Sequence, residues 1–294
     1  MNGWLVVNEY VNNDKFNELF KMLTDAAAKS GCRLVKYTNT RLWQLLCEHG
    51  YNIRDMADTV DFVLFWDKDI KLAKVLESMG MRLYNSAESI ALCDDKSETF
   101  LALSGHGIKM PRTYMSPKIF TPCGLEKSAY MKYIAVDIGF PCVIKECLGS
   151  FGKQVYLAAD TDEFEEIIQN IGTRPFIVQE YIKSSYGRDI RIQVVGNKVV
   201  AAMYRYNDND FRANITNGGS MKPYEPDPEQ CRMALEVCDI LGLDFGGIDI
   251  LFGEDDEPVL CEANSNAHFK NLYDCTGINV AEHIISYIEE QVRR

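Results

Sequence analysis

The first 85 residues alternate between short apolar runs and longer segments with helical periodicity. Residues 4–7 and the middle of 61–66 are continuous apolar runs, as in buried strands, whereas residues 14–29 space their apolar side chains along one helix face. In order, the predicted strands are 4–7, 33–37, 61–66 and 82–84, and the predicted helices are 14–29 and 69–79. Strands separated by helices predict a small parallel α/β lobe over residues 1–85.

The pattern changes after residue 103 from helical to mainly extended. A helical pattern covers residues 86–103, and prolines then punctuate residues 111–141. Extended segments are predicted at 141–146, 154–158, 176–182, 189–195 and 199–206, with helices at 162–171, 227–241 and 279–292. The helix at 227–241 has Asp227 as its N-cap and Pro228 in its first turn. We therefore predict α/β followed by α+β architecture in three lobes.

Composition and charge narrow the function classes. The chain has 294 residues, of which 47% are hydrophobic and 25% are charged, and its formal net charge is −12. An acidic chain of ordinary globular composition is not expected to bind nucleic acids or membrane surfaces in general. The N-terminal apolar run breaks at Asn8, too early for a signal peptide or a membrane helix. Ten cysteines without a CxxC pair indicate reduced, buried thiols, so we expect a cytoplasmic protein.

The sharpest chemical signal is a predicted hairpin near the C-terminus. Two apolar strands, 246–252 and 258–264, flank an acidic turn. If this turn is centred between residues 255 and 256, Asp249 lies opposite Glu262, and Asn264 shares their face because strand side chains alternate. Two carboxylates and an amide oxygen suit a hard ion such as Mg²⁺. The alternative is an exposed polar face on an edge hairpin.

The second signal is a strand that carries a lysine and leads into a glycine-containing loop. Lys145 precedes Gly149 and Gly152, and glycines let backbone N–H groups approach phosphate oxygens. No Gly-Lys-Ser/Thr opens a helix here, so the segment is not a Walker loop. Taken alone, it also fits a plain hairpin with a glycine turn.

Arginines recur along the predicted sheet of the last lobe, at positions 188, 191, 205 and 212. Asp189, Arg191 and Gln193 share one strand face, and Gly196-Asn197 is a strong hairpin turn signal. Arginines displayed in an acidic protein suggest an anionic ligand, although a solvated sheet face has the same pattern. Residues 207–222, rich in Asn and Gly, are either a mobile loop over the site or a surface loop without a role.

Taken together and in this order, these segments resemble the ATP-grasp superfamily and, within it, the RimK-like glutamate ligases. The resemblance covers about residue 85 to the C-terminus, and its specificity lies in the order of seven short motifs that are each weak alone. They are Asp95-Lys96, Lys145 with Gly149-Ser150-Phe151-Gly152, Gln179-Glu180-Tyr181-Ile182, Gly187-Arg188-Asp189-Ile190-Arg191, Phe211-Arg212-Ala213-Asn214, Gly247-Ile248-Asp249 and Glu262-Ala263-Asn264. The resemblance implies an ATP-grasp fold in which lobe 1–85 precedes two lobes, 86–182 and 183–294, that clasp the nucleotide.

The resemblance also implies a role for each residue in an ADP-forming acid–amino acid ligase. The ATP phosphates would meet Lys96, Lys145, Gly149, Ser150 and Gly152; adenine would meet Gln179, Glu180, Tyr181 and Ile182; and Asp189, Arg212 and Asn214 would line the rest of the nucleotide pocket. Asp249, Glu262 and Asn264 would hold Mg²⁺, with Mn²⁺ as an alternative ion. Arg205 takes the place of an arginine that holds the developing intermediate, with Arg191 as the alternative.

One segment departs from the RimK-like pattern. Phe269-Lys270-Asn271 resembles the LysX-type ligases, which act on an amino-group carrier protein. The partners implied are therefore an amino acid, usually glutamate in this family, and an acceptor that is a small molecule, a peptide or a carrier protein. His268 is either a packed loop histidine or a contact of the metal shell or the substrate.

Two other functions remain as alternatives, a non-catalytic ATP-binding module of the same fold and an interaction scaffold. The module would lack a metal ligand or a phosphate lysine, and none is missing from the motifs. A dinucleotide-dependent oxidoreductase is set aside because residues 6–11, after the first strand, contain no glycine. The family resemblance further implies a homo-oligomer, whereas the acidic charge balance predicts no nucleic-acid or membrane partners.

Overall fold

The N-terminal segment folds into a sheet of parallel strands. The strands are β1 (Asn2–Val7), β2 (Arg33–Thr38), β3 (Phe62–Trp66) and β4 (Leu83–Tyr84), in the order β2-β1-β3-β4. The helices between them are α1 (Asp14–Lys29), α2 (Asn39–Glu48), α3 (Arg54–Ala57) and α4 (Ile70–Ser78). The structure, a computed structural model, describes residues 1–11, 13–149, 152–215 and 218–293. All strand pairs of this sheet are parallel, which confirms the predicted α/β arrangement.

The helices α2 and α3 are absent from the predicted elements. α2 starts directly after β2, and the last residue of that strand, Thr38, caps it by accepting a hydrogen bond from the Arg41 N–H at 3.2 Å. Leu42, Leu45 and Leu46 then bury one face of α2 against the sheet. With no glycine or proline between strand and helix, the sequence has no boundary signal at this point.

The segment 86–103 is helical, as predicted, but it forms two helices, α5 (Ala87–Asp94) and α6 (Lys96–Leu103). Asp95 between them is extended, with φ −101° and ψ 114°, and its carboxylate accepts hydrogen bonds from the N–H of Ser97 at 2.8 Å and of Glu98 at 3.4 Å. An aspartate N-cap can thus start a new helix without a glycine or proline. The break places Lys96 beside the next sheet, where its N–H donates to the Cys147 carbonyl at 3.0 Å.

The second sheet is antiparallel and presents polar side chains on one face. Its strands are β5 (Thr113–Met115), β6 (Cys142–Glu146), β7 (Val155–Ala158) and β8 (Phe176–Glu180), in the order β5-β8-β6-β7, and its helices are α7 (Ala129–Ile138) and α8 (Thr161–Ile171). Ile144 and Val178 pack with both helices in an apolar core, whereas Val143, Lys145 and Gln179 line a cavity. Alternation along β6 and β8 therefore places the lysine on the cavity side.

The third sheet is antiparallel and has five strands. They are β9 (Arg188–Val195), β10 (Lys198–Tyr206), β11 (Ser220–Pro223), β12 (Phe245–Phe252) and β13 (Pro258–Asn264), in the order β11-β10-β9-β12-β13, and the helices are α9 (Pro228–Ile240), α10 (Lys270–Thr276) and α11 (Val280–Val292). α9 has Asp227 as its N-cap, as predicted, and covers the face that carries Ile190 and Ile192. The end of the predicted loop 207–222 is wrong, because residues from Ser220 onward pair with β10.

A buried asparagine and stacked aromatic rings join the first sheet to the third. The Asn85 Nδ2 donates to the carbonyls of Phe245 at 2.9 Å and Ser265 at 3.0 Å, and its Oδ1 accepts from the N–H of Asp244 at 2.7 Å and of Phe245 at 3.2 Å. The Trp66 ring stacks on Phe245 at 5.5 Å between centroids. Because the Asn85 amide is fully hydrogen-bonded in a buried position, this contact fixes the two sheets against each other.

The three sheets occupy residues 2–84, 113–180 and 188–264, and the lobe boundaries 1–85, 86–182 and 183–294 stay a prediction. Across the part of the chain that the structure describes, no helix combines the length and the apolar character needed to span a membrane.

Candidate active site

A cavity of about 370 Å³ lies between the second and third sheets and reaches the first. Every predicted site residue that the structure describes lines it: Lys96, Lys145, Gly149, Gly152, Gln179, Glu180, Tyr181, Ile182, Asp189, Arg191, Arg205, Arg212, Asn214, Asp249, Glu262 and Asn264. Ser150 lies outside the described residues. Segments that are up to 168 positions apart along the chain, from Lys96 to Asn264, thus meet in one cavity.

A β-bulge in the β9–β10 hairpin decides which way Arg205 faces. The predicted turn at Gly196-Asn197 is present, and the register shifts by one residue between Val199 and Ala201. Arg205 therefore lies opposite Asp189, on the cavity face. Without the shift it would lie opposite Arg188, on the other face, because a one-residue slip reverses the facing of a strand.

A second bulge restores the predicted pairing in the β12–β13 hairpin. Its turn is centred on residue 255, because Phe252 pairs with Pro258, so the predicted centre between 255 and 256 is wrong. A one-residue shift next to Cys261 nevertheless brings Asp249 opposite Glu262, as predicted. Both bulges therefore place charged side chains in the cavity.

Four buried or half-buried charges form a chain across the third sheet. Arg191 makes a bidentate ion pair with Asp249, with both N···O distances 2.6 Å. Arg205 makes one with Asp189, at 2.6 and 2.7 Å, and its Nη2 also lies 2.9 Å from Asp249 Oδ2. Burial favours a raised pKa for Asp249, but Arg191 and Arg205 outweigh it and hold the pKa below its usual value. The four side chains are thus ordered before any ligand arrives.

The predicted metal ligands have the right chemistry, and two of them are open to the cavity. In the described part of the chain, no three His, Cys, Asp or Glu side chains are grouped to hold a metal; the candidates are two carboxylates and one amide. The buried Asn264 Nδ2 has no hydrogen-bond partner among the described residues, so it can donate to an acceptor atom of a ligand, and a cation would be held by the amide oxygen Oδ1. Asp249 is held by the two arginines, so it could bind a cation only if an arginine contact were exchanged.

The opposite wall carries lysines suited to an anion. The Lys145 side chain is buried, and its Nζ contacts the Cys261 Sγ at 3.8 Å but no carboxylate within the described chain. Within the part of the chain that the structure describes, the Lys96 Nζ approaches the carbonyls of Cys147 and Gly149, both at 3.4 Å, and no carboxylate. A buried ammonium without a counter-ion is costly, so this wall favours an anionic ligand.

One end of the cavity is formed by the segment that follows β8. The Gln179 Nε2 donates to the Thr113 hydroxyl at 2.9 Å, while its buried Oε1 has no partner among the described residues. The Glu180 carboxylate turns away to accept from the Arg112 N–H at 2.8 Å. No backbone hydrogen bond is found within the described chain for the N–H groups of Tyr181 and Ile182. These groups can therefore bind a flat heterocycle edge-on.

Arg212 joins the glycine loop to the segment after β10. Its Nη1 donates to the Gly152 carbonyl at 2.9 Å, and its Nη2 pairs with Asp210 at 2.8 Å. Asp210 was not among the predicted site residues, because an acidic residue two positions before an arginine is common on surfaces. Asn214 lines the same part of the cavity.

The backbone of Gly187 packs closely against the segment that follows β10. Its φ is +59°, and a Cβ there would lie 2.1 Å from the Asn207 carbonyl oxygen. We expect Gly187→Ala to lower the free energy of unfolding by about 2–4 kcal/mol, the sum of left-handed strain and overpacking. Gly277→Ala is the control, because Gly277 lies in the left-handed region, with φ +74° and ψ −1°, and has open space around it, so it carries the strain alone. Equal losses in urea denaturation would contradict the role of the close approach.

His268 is a buried, neutral histidine at the first-sheet end of the cavity. Its Nε2 lies 3.0 Å from the Lys15 carbonyl, so Nε2 carries the proton and Nδ1 is an acceptor, which has no partner among the described residues. Its ring also meets Phe16 edge-on at 5.2 Å. Burial lowers the pKa of His268 to about 4.

This pKa predicts a loss of stability on acidification. Below pH 6.5 His268 is protonated in the unfolded chain, whereas in the folded chain it stays neutral until the pH approaches 4. The free energy of unfolding therefore falls between pH 6.5 and 4, by up to about 3 kcal/mol. His268→Gln removes this part of the pH dependence, whereas His49→Gln, at an exposed position, leaves it unchanged. Urea denaturation at pH 7 and pH 4.5 measures both. The same acid sensitivity in His268→Gln and in the unchanged protein would contradict the assignment.

Two further residues that line the cavity, Asn8 and Asp67, were not predicted as site residues. Each follows directly after a strand of the first sheet, β1 or β3. That position was the available signal, because ligands of open α/β sheets bind at the carboxyl ends of the strands.

Comparison with known proteins gives consistent matches. The family profile described as a RimK-like ATP-grasp domain matches residues 93–288. Beta-citrylglutamate synthase B of Danio rerio is 36% identical over 226 residues, which cover 76% of this chain and 54% of that protein. N-acetylaspartylglutamate synthase A of Homo sapiens is 36% identical over 223 residues, covering 75% and 56%. A probable alpha-L-glutamate ligase 2 of Shewanella amazonensis is 37% identical over 224 residues, covering 75% and 71%.

The chain spans about half the length of the two synthases. Among solved structures, a RimK-domain ATP-grasp protein from Sphaerobacter thermophilus superposes with a TM-score of 0.73 at 21% identity, covering 98% of this chain and 99% of that one. D-alanine–D-alanine ligase from Bacillus anthracis complexed with ATP gives 0.74 at 18% identity, covering 100% and 98%. The predicted fold is thereby confirmed.

Proposed function

Because the chain belongs to the RimK-like ATP-grasp family, we propose that it is an ATP-dependent ligase that joins a carboxylate to an amine. The observation that supports this is the division of one cavity into two walls. One wall holds Lys96 and the buried Lys145, which has no carboxylate partner among the described residues, and the other holds Asp249 and Glu262. A polyphosphate with a divalent cation complements both walls.

The reaction has two steps that need no protein nucleophile. A carboxylate oxygen attacks the γ-phosphorus of ATP, and ADP leaves with the electrons of the broken P–O bond. The amine then attacks the carbonyl of the acyl phosphate, loses a proton and expels phosphate. The chain's part is to hold these groups in place and to offset their charge.

The nucleotide would lie along the cavity from the segment after β8 to the third sheet. The adenine edge meets the backbone of Tyr181 and Ile182, and the phosphates meet Lys96, Lys145 and the loop that starts at Gly149. Mg²⁺, or Mn²⁺ in its place, would be held by Asp249, Glu262 and Asn264 and would neutralise charge on the phosphate oxygens. Asp249 would then exchange an arginine contact for the cation.

Arg191 is the better candidate for contact with the reacting groups, and Arg205 is a positioning residue. The Arg205 side chain is 3% exposed and is enclosed by Asp189 and Asp249, whereas the Arg191 side chain is 15% exposed. If Asp249 turns to the cation, Arg191 gains free N–H groups beside the phosphate. It could then stabilise the oxyanion and the leaving phosphate.

Glutamate is the proposed amino substrate, since the relatives are named beta-citrylglutamate synthase, N-acetylaspartylglutamate synthase and alpha-L-glutamate ligase. The acceptor is proposed to be a small molecule, a peptide or a carrier protein, and a homo-oligomer stays a prediction. ATP binding without turnover is the competing function.

A thermal-shift titration with ATP and ADP, each with and without Mg²⁺, tests the proposal. At a hundredfold excess over Kd, binding stabilises the folded protein by about 2.7 kcal/mol. We expect a Mg²⁺-dependent shift that is lost in Glu262→Ala and kept in Glu254→Ala, an exposed carboxylate on the turn of the same hairpin. ADP release on addition of acid and amine pairs would then identify the ligase. No shift with any nucleotide would contradict the proposal, and binding without ADP release would favour the non-catalytic module.

A further inference from the structure

The carboxyl edge of the first sheet opens into the cavity. β1 and β3 end side by side, with Val7 paired to Trp66, so the next residues, Asn8 and Asp67, emerge together. The Asn8 Nδ2 donates to Asp67 Oδ1 at 3.1 Å, and both residues line the cavity. Such an edge is where open α/β sheets bind small molecules.

Asp67 is a buried carboxylate without a cation. It is 6% exposed, and its Oδ1 accepts from Asn8 and from the Lys68 N–H at 2.6 Å. Its Oδ2 has no hydrogen-bond partner, and no ion pair to it is found within the described chain. Burial raises the pKa of Asp67, as expected for a carboxylate that lacks a compensating charge. A buried carboxylate without a counter-ion is stabilised by a positively charged ligand.

The loop between β13 and α10 adds two neutral acceptors at the same end. The Asn266 Nδ2 donates to the Asp67 carbonyl at 2.8 Å, which leaves its buried Oδ1 without a partner among the described residues. Two residues further on, His268 offers the unpaired Nδ1 described above. Asp67, Asn266 and His268 are here called the ammonium pocket.

The acceptors of this pocket determine its ligand. One carboxylate, one amide oxygen and one neutral imidazole nitrogen match the three N–H donors of a primary ammonium group. Divalent cations usually take more than one carboxylate, which this pocket lacks. The Trp66 Nε1, a donor that has no hydrogen-bond partner among the described residues, could meet a carbonyl or carboxylate of the same ligand. We propose that the ammonium pocket binds the primary ammonium group of the amino acid substrate, with Asp67 as its charged partner and as the acceptor of the proton that the amine gives up before it attacks.

This inference rests on the proposed function and is tested by direct binding. The probes are the twenty standard amino acids and their N-acetyl derivatives, titrated calorimetrically with and without Mg²⁺ and a non-hydrolysable ATP analogue. We expect one or more amino acids to bind the unchanged protein and their N-acetyl derivatives to bind at least about tenfold more weakly, as for loss of a charged hydrogen bond. Asp67→Asn, which keeps the shape but not the charge, should weaken amino acid binding by at least about tenfold.

Two further variants keep the test specific. Asp58→Asn makes the same change at an exposed site of the same lobe and should leave every affinity unchanged. Asn266→Ala removes a neutral acceptor and should weaken amino acid binding severalfold even if Asp67→Asn fails to fold. Affinity of each variant for the ATP analogue should stay within about twofold, because none of the substituted residues is placed at the nucleotide or the cation.

Three results would overturn the inference: no amino acid in the panel binds the unchanged protein, N-acetyl derivatives bind as well as free amino acids, or Asp67→Asn and Asn266→Ala bind amino acids normally. Failure of the proposed function has a different signature, absence of nucleotide binding in the unchanged protein. The titrations without nucleotide then still report on the pocket.

Discussion

Arg205→Met is expected to lower the free energy of unfolding of the ligand-free protein by about 3–5 kcal/mol, the cost of removing one partner from a buried ion pair. The Arg205 side chain is 3% exposed and contacts two carboxylates, Asp189 and Asp249. Without the guanidinium, Asp189 has no bidentate partner, and Asp189 and Asp249 are left as two buried carboxylates that repel each other. Methionine fills a similar volume, so the loss reports charge rather than a cavity.

Urea denaturation without nucleotide measures this loss. Arg232→Met is the matched control, because Arg232 on α9 is 60% exposed and pairs only with surface glutamates. Exposed pairs contribute at most about 1 kcal/mol. A loss in Arg205→Met no larger than that of Arg232→Met would show that the chain of charges across the third sheet is not needed for folding.

Lys145→Met is expected to weaken nucleotide binding strongly without the loss of stability that is expected for Arg205→Met. Lys145 is 9% exposed and lacks a carboxylate partner within the described residues, so its ammonium group costs stability in the ligand-free protein. Its replacement should leave the free energy of unfolding unchanged or raise it by about 1 kcal/mol. The affinity for Mg·ATP should fall by about two to three orders of magnitude, since truncating a buried charged contact costs about 2–5 kcal/mol.

The control is Lys153→Met, an exposed lysine of the same glycine-containing segment. Calorimetric titration with Mg·ATP should find it within about threefold of the unchanged protein. If Lys145→Met destabilised the ligand-free protein and kept its affinity, Lys145 would be a structural residue and the phosphate wall would lie elsewhere.

The sequence was sufficient for elements whose periodicity is continuous. α1 spans the predicted residues 14–29, and Asp227 caps α9 as its sequence indicates. The pattern did not predict the boundary between α5 and α6, because a side-chain cap at Asp95, rather than a glycine or proline, ends one helix and starts the next. It also did not predict α7, which lies in the proline-rich stretch 111–141. Side-chain caps are local hydrogen bonds and leave no periodic trace.

The site was predictable where ordered motifs exist and not where single residues complete it. Asp249 and Glu262 were predicted to share a face because strand side chains alternate, and Lys145 was singled out because its strand leads into a glycine-containing loop; all three line the cavity. The facing of Arg205 was not derivable, because it depends on the bulge after Val199, and a bulge is set by tertiary fit rather than by a residue type. Asp67 lacks any motif and is recognised only by its place after a strand.

Because of the two bulges, the length of each hairpin turn does not determine which way the charged residues of the site face. Each bulge lies between the turn and the charged residues, so residues inserted at the exposed tip around Asp255 extend the hairpin away from the cavity and leave the Asp249–Glu262 pair in register. Deleting Cys261 would instead turn every residue on one side of it to the opposite face. The hairpin is therefore a permissive position for grafting a peptide tag or a fluorescent reporter, and the bulge residues set the boundary beyond which an insertion or deletion is not tolerated.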